Sequence, residues 1–151
     1  MGPRRVVSVS DGPSNAASEY LVAACAFLSC GIPDWDIRAQ LTDDFHYADH
    51  RRGRILGEID ANTWQRFILS TWQTGAGDPQ FAVHGVHAVR GDRFAACRLD
   101  VDYGNGFIAE SIHLVGLDPT LTLVQTASDY DVDDIDVAIA ELDRLSQADA
   151  I

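Results

Sequence analysis

Residues 80–130 read QFAVHGVHAVRGDRFAACRLDVDYGNGFIAESIHLVGLDPTLTLVQTASDY. Apolar and polar side chains alternate along most of this stretch, which is the period of a pleated strand. The alternation is interrupted at Gly91-Asp92 and at Gly104-Asn105-Gly106, both hairpin signals. The pattern predicts strands over about 80–90, 93–103, 106–117 and 120–130. Strands joined by such short turns form an antiparallel meander, because parallel neighbours need long crossovers.

Upstream of the meander the period changes to that of a helix. Ser14 or Asn15 is placed to cap a helix running to about Ser29, with Tyr20, Ala24, Phe27 and Leu28 as its buried stripe. Pro33-Asp34-Trp35-Asp36 restarts the chain as a short second helix ending near Leu41, followed by a strand over Phe45–Asp49. The arginine-rich loop from Arg51 to Gly57 leads to Asp60, a cap for a helix in which Trp64, Phe67, Ile68 and Trp72 recur at helical spacing. Downstream, Asp131 is the expected cap of a closing helix that turns Ile135, Ile139 and Leu142 inward. Helices, then a meander, then a helix describe an α+β fold and argue against a doubly wound parallel sheet.

At 151 residues the chain fits one domain. Residues 1–14, rich in Gly, Pro and Ser, read as a flexible arm before a single domain over 15–151. The net charge is -12, and all eleven basic residues are arginine. Such a surface repels phosphate backbones and anionic lipid, so neither nucleic acid nor membrane is an expected partner. No segment approaches the roughly 20 apolar residues of a bilayer span. Asp11, Asn15 and Glu19 interrupt any secretory core, so a cytoplasmic location is expected. Cys25, Cys30 and Cys97 are odd in number and lack metal-ligand spacing, so no structural disulfide is expected.

The order of elements resembles the nuclear transport factor 2-like (SnoaL-like) superfamily over nearly the whole chain. The resemblance implies a cystatin-like cone, in which a strongly curved sheet and three to four helices enclose a small-molecule pocket. It also implies pairing of two copies through the outer face of the sheet. Asp43-Asp44-Phe45-His46-Tyr47-Ala48-Asp49-His50-Arg51-Arg52 and the ending from Asp131 to Leu142 look like an actinobacterial branch of that superfamily.

A second comparison concerns chemistry. Arg98-Leu99-Asp100, Asp129-Tyr130 and Tyr47-Ala48-Asp49 resemble the Arg-x-Asp pair, the late aspartate and the water-holding Tyr-x-Asn of the limonene-1,2-epoxide hydrolase branch, with Asp49 in place of the amide. That resemblance implies a cofactor-independent hydrolase of apolar epoxides, with Asp129 as base, Asp100 as acid, Arg98 linking them, and Tyr47 and Asp49 holding water. Strand alternation does put Arg98, Asp100 and Asp102 on one face, where an arginine fork could bridge two acids. A surface ion pair of Arg98 with Asp100 or Asp102 would have the same sequence.

Trp64, Phe67, His84 and His113 are candidates for the substrate wall. His84 and His87 fall on opposite faces of a regular strand, which argues against paired metal ligands, and no metal is expected. Gly77-Asp78-Pro79 followed by His84 is also similar to scytalone dehydratase, which combines histidines, tyrosines and an aspartate to remove water from a polyketide-derived ring. A dehydratase or isomerase acting on a cyclic polyketide or terpenoid is therefore a second expectation, and a non-catalytic binding module a third.

Overall fold

The computed structural model describes residues 12–31, 36–53, 56–74 and 78–149. In chain order its elements are α1 (Ala16–Leu28), β1 (Leu41–Asp49), β2 (Glu58–Asp60), α2 (Ala61–Thr74), β3 (Gln80–Arg90), β4 (Phe94–Asp102), β5 (Ile108–Leu117), β6 (Val124–Tyr130) and α3 (Ile135–Asp149). The strands form one six-stranded sheet in the order β2-β1-β6-β5-β4-β3. The β3-β4-β5-β6 meander is antiparallel as the alternation requires, and β1 joins it in parallel to β6. The expected arm lies almost wholly outside the described residues.

Each helix is anchored by groups its sequence supplies. Asn15 accepts the Ser18 backbone N–H in a capping box, and its amide donates to the carbonyls of Gly91 and Phe94 at 2.9 Å each. One cap thus also ties α1 to the β3–β4 turn. Asp60 caps α2 by accepting the Thr63 N–H. Asp131 does not cap α3 as expected: its carboxylate accepts the Arg52 N–H, and a 3-10 turn, Val132–Asp134, intervenes before the helix. The second helix is likewise corrected to a 3-10 turn over Arg38–Gln40, with β1 beginning at Leu41; residues 32–35 lie outside the described ones.

Two apolar layers lie on the two faces of the sheet. The inner layer packs α1 and α2 through Leu21, Cys25, Ile68, Phe45, Tyr47 and Val115. The outer one seats Ala138 and Leu142 of α3 on Phe94, Ala96, Ile112, Leu114 and Tyr130. Each large side chain so buried contributes about 1.5–3 kcal/mol. The buried stripe of α1 runs through Ala17, Leu21, Cys25 and Leu28, whereas Phe27, expected inside, is 64% exposed. The three cysteines are free, and burial pushes the thiols of Cys25 and Cys97 up to about 12.

Candidate functional site

Between the inner face of the sheet, α1 and α2 lies a cavity of about 260 Å³. Its walls are apolar over most of their extent, with Leu28, Phe45, Trp64, Phe67, Leu99 and Val101 among them. Phe107 lines the cavity and is 60% exposed, so the β4–β5 hairpin stands at the mouth. Gly104 and Gly106, both at positive φ, allow that tight turn.

Polar groups gather at one part of the wall because of strand register. Asp49, Asp129, His113 and Cys97 are successive cross-strand partners over β1, β6, β5 and β4, so all four share the inner face. Asp129 is buried and accepts three hydrogen bonds: from Tyr47 Oη at 2.6 Å, Ser111 Oγ at 3.0 Å and His113 Nδ1 at 2.8 Å. Burial by itself would raise this carboxyl. The His113 charge and hydrogen bond, the Tyr47 donor and the Arg51 charge outweigh it and bring the carboxyl down to about 2. An ionised carboxylate only accepts, so the His113 proton sits on Nδ1, leaving Nε2 as the ring atom not engaged by Asp129.

Beside this node Asp49 is held by Arg51, which donates from Nε at 2.8 Å and from Nη2 at 2.9 Å. The Arg51 backbone N–H also reaches Asp49, at 3.1 Å. Burial opposes the Asp49 anion, but the Arg51 donors more than offset it and keep the carboxyl below its usual range. Those hydrogen bonds, helped by the charge on Asp129, hold Arg51 protonated more firmly than usual. Tyr47 stacks on Trp64 with centroids 4.5 Å apart, and burial followed by the Asp129 charge pushes its phenol strongly upward, so it serves as a fixed donor. Tyr103, on the cavity wall between β4 and β5, is also raised, chiefly by burial.

The nine expected site residues therefore divide. Asp129, His113, Trp64 and Phe67 line the cavity, and Tyr47 touches Asp129 from behind the wall. Asp49 is buried nearby but is occupied by Arg51 and is not a free water holder. Arg98 and Asp100 are corrected: they face outward, away from Asp129. Arg98 donates to Glu110 at 2.9 Å and lies 3.5 Å from Asp100, and Asp100 meets His84 at 2.9 Å. Side chains alternate along β4 as expected, but the face that carries Arg98 and Asp100 is the outer one. Leu99 and Val101 take the cavity side, which leaves their polar neighbours to the other.

His84 thus leaves the substrate wall for the same outer cluster. Register shifts at Val83/Gly85 and Val86/Ala88 do break the regularity of β3, yet His84 and His87 both remain exposed. Sequence reasoning missed Arg51 and Ser111. The Asp49-x-Arg51 spacing was the available signal for the first; Ser111 is recognisable only through its long-range partner.

Among the described residues, one group has metal-ligand geometry: Asp131, Asp133 and Asp134, whose carboxylate oxygens lie within 4.8 Å of one another. Arg52 already supplies a cation there, at 3.4, 3.1 and 3.8 Å from the three. None of these acids lines the cavity. No helix among the described residues is long and apolar enough to cross a membrane.

No family model matches the chain, and no curated protein does. Solved structures do. The BvnE pinacolase from Penicillium brevicompactum superposes with a TM-score of 0.57 at 15% identity, over 90% of this chain and 98% of that one. AusH from Aspergillus nidulans gives 0.57 at 11% identity, over 75% and 83% of the two chains. An NTF2-like protein from Anabaena variabilis gives 0.54 at 11% identity, over 82% and 94%. At such identities the likeness is one of architecture, and the chain has the nuclear transport factor 2-like α+β fold expected of its sequence.

Proposed function

We propose that the protein is a cofactor-independent acid–base enzyme that moves a proton on a small, largely apolar molecule, in the class of dehydratases and isomerases. The observation that carries this reading is the Asp129–His113 contact of 2.8 Å in the wall of a largely apolar cavity. Asp129, held ionised by its donors, accepts the Nδ1 hydrogen of His113 and so orients the imidazole. His113 then takes a proton from one substrate atom and returns it to another, or gives it to a departing hydroxyl. The cavity lies just below the roughly 300–1,000 Å³ of ordinary ligand pockets, which suits a one- or two-ring molecule.

Epoxide opening is the second reading, favoured by the 2.6 Å contact of Tyr47 with Asp129. With Arg98 and Asp100 on the outer face, its acid would have to be the His113 imidazolium. The two readings separate in one experiment. Cyclic ketones such as 2-tetralone and cyclohexenone are incubated in deuterated buffer with the wild type and with His113→Gln, and cyclohexene and limonene oxides are run beside them. Proton transfer predicts enzyme-dependent deuterium uptake next to the carbonyl, lower by roughly 10²-fold or more in the variant. Diol formation without deuterium uptake would replace it with the hydrolase, and silence toward both panels would leave only the binding module.

A further inference from the structure

Arg51 is fixed in the cavity wall in a way that leaves part of its fork unused. Nε and Nη2 are committed to Asp49, whose side chain is fully enclosed, while Nη1 makes no hydrogen bond among the described residues. Asp49 is itself saturated: Oδ1 also accepts the Arg51 N–H, and Oδ2 faces the Leu56 N–H at 3.5 Å. The guanidinium is therefore oriented in advance and needs no rearrangement when a charge develops in front of it.

The charge around it narrows the ligand. Asp49 and Asp129 are paired positions on adjacent strands, and Arg51 is the fixed cation beside them, so with a neutral His113 the group carries one negative charge in excess. A substrate carboxylate would add a second. A neutral carbonyl adds none, and becomes anionic only as His113 becomes cationic.

We propose that Arg51 holds the carbonyl oxygen of the substrate, and that the substrate is a neutral cyclic ketone with an acidic C–H beside the carbonyl. This rests on the proton-transfer reading above. His113 Nε2 takes the proton from the α-carbon, the C–H electron pair forms the C=C bond, and the carbonyl π pair moves onto the oxygen facing Arg51. The enolate then either recovers the proton from the imidazolium at the γ-carbon, where the ketone carries a β,γ double bond that shifts into conjugation, or expels a β-hydroxyl that takes the same proton and leaves as water. Both outcomes restore neutral His113. Tyr103, on the same wall, is the second donor available to that oxygen.

The test uses 2-naphthol, a two-ring mimic whose ionised oxygen absorbs and fluoresces at longer wavelength. Near neutral pH, where free 2-naphthol is un-ionised, the wild type is expected to bind it as the naphtholate, and His113→Gln to lose deuterium exchange. Asp49→Asn/Arg51→Gln removes both charges together and leaves no buried acid alone. It should bind 2-naphthol un-ionised and exchange ketones roughly 10²-fold more slowly. Arg51→Lys, the gentler variant, keeps the charge without the fork and should shift the bound naphthol back by roughly tenfold, one pKa unit.

The fixed anion 2-naphthoate should bind the wild type at least roughly tenfold more weakly than 2-naphthol, or 1.4 kcal/mol. Failure of the wild type to bind 2-naphthol, un-ionised binding, naphtholate persisting unchanged in the Arg51 variants, or tighter binding of 2-naphthoate overturns the assignment. Naphtholate without any ketone exchange would leave the oxyanion site standing and remove the reaction proposed for it.

Discussion

Two groupings of the same three residue types stand on opposite faces of one sheet. On the inner face His113 meets Asp129 at 2.8 Å with Arg51 beside them; on the outer face His84 meets Asp100 at 2.9 Å with Arg98 at 3.5 Å. Contact lengths hardly distinguish them. Burial does: the side chains of His113 and Asp129 are 7% and 10% exposed, those of His84 and Asp100 45% and 21%. The outer set is open to water at His84 and at Glu110, which shares Arg98, although Arg98 Nε and Asp100 Oδ1 are themselves enclosed. The inner set has a cavity before it, and its Asp129 takes further partners from the strands on either side, Tyr47 from β1 and Ser111 from β5. An acid–histidine–arginine cluster thus acquires chemical potential from its surroundings and not from its composition.

The sharpest way to break this contrast is to delete the acid on each side. Asp129→Ala strands three donors, one of them a buried histidine, so it should lower unfolding stability by roughly 3–5 kcal/mol. Asp100→Ala removes a partly exposed partner and should cost about 1 kcal/mol or less. Urea unfolding of the two variants reads the difference directly; equal losses would mean that the outer cluster is as structural as the inner one.

Next in size is the pair of histidines. His113→Gln should lower ketone deuterium exchange by roughly 10²–10⁴-fold, whereas His84→Gln should leave it unchanged. A variant at His84 that abolished exchange would return that residue to the substrate wall and revive the dehydratase arrangement expected from sequence.

Much of the fold was legible because its signals are local. Alternation from Gln80 to Tyr130 placed the meander, and Asn15 and Asp60 marked two helix starts through hydrogen bonds made within three residues. The site was less legible for three separate reasons. Arg98 and Asp100 show that a period of two names a shared face without saying which face is inside. Here α3 covers the outer face only over Phe94, Ala96, Ile112 and Leu114, so beyond its reach the outside of β4 turns polar. Arg51 comes from a loop, where no period operates, and its place depends on a fork closing on Asp49. The contacts of His113 and Ser111 with Asp129 span 16 and 18 residues and exist only once β5 and β6 are in register.

Acid titration sharpens the inner half of the comparison. The folded-state carboxyl of Asp129 is lowered to about 2, so between that value and the roughly 3.9 of an unfolded chain the unfolded state binds the extra proton. Its contribution is fully present above about pH 4 and is lost as pH falls toward 2. The stability gap between the wild type and Asp129→Asn should therefore be flat above that range and close by about 2 kcal/mol below it, as followed by urea midpoints at successive pH values. A gap that stayed constant down to pH 2 would show that the carboxyl is not depressed, and that Asp129 could carry a proton itself.

The smallest effect is expected on the outer face and depends on salt. Arg98 and Glu110 have side chains 34% and 46% exposed, so their 2.9 Å contact works in a highly screened setting and competes with water at both ends. Glu110→Gln should cost less than about 1 kcal/mol at low ionic strength, and raising salt to about 1 M, where the screening length falls to roughly 3 Å, should remove most of that difference. Asp129→Asn has no such escape, because the groups that miss the charge are shut away from the added ions. Its penalty should persist at high salt, and unfolding both variants at two salt concentrations compares the screened cluster with the enclosed one on a single scale. Were the Glu110 penalty to survive high salt while that of Asp129 faded, the assignment of inside and outside would have to be exchanged, and with it the face of the sheet on which chemistry is sought.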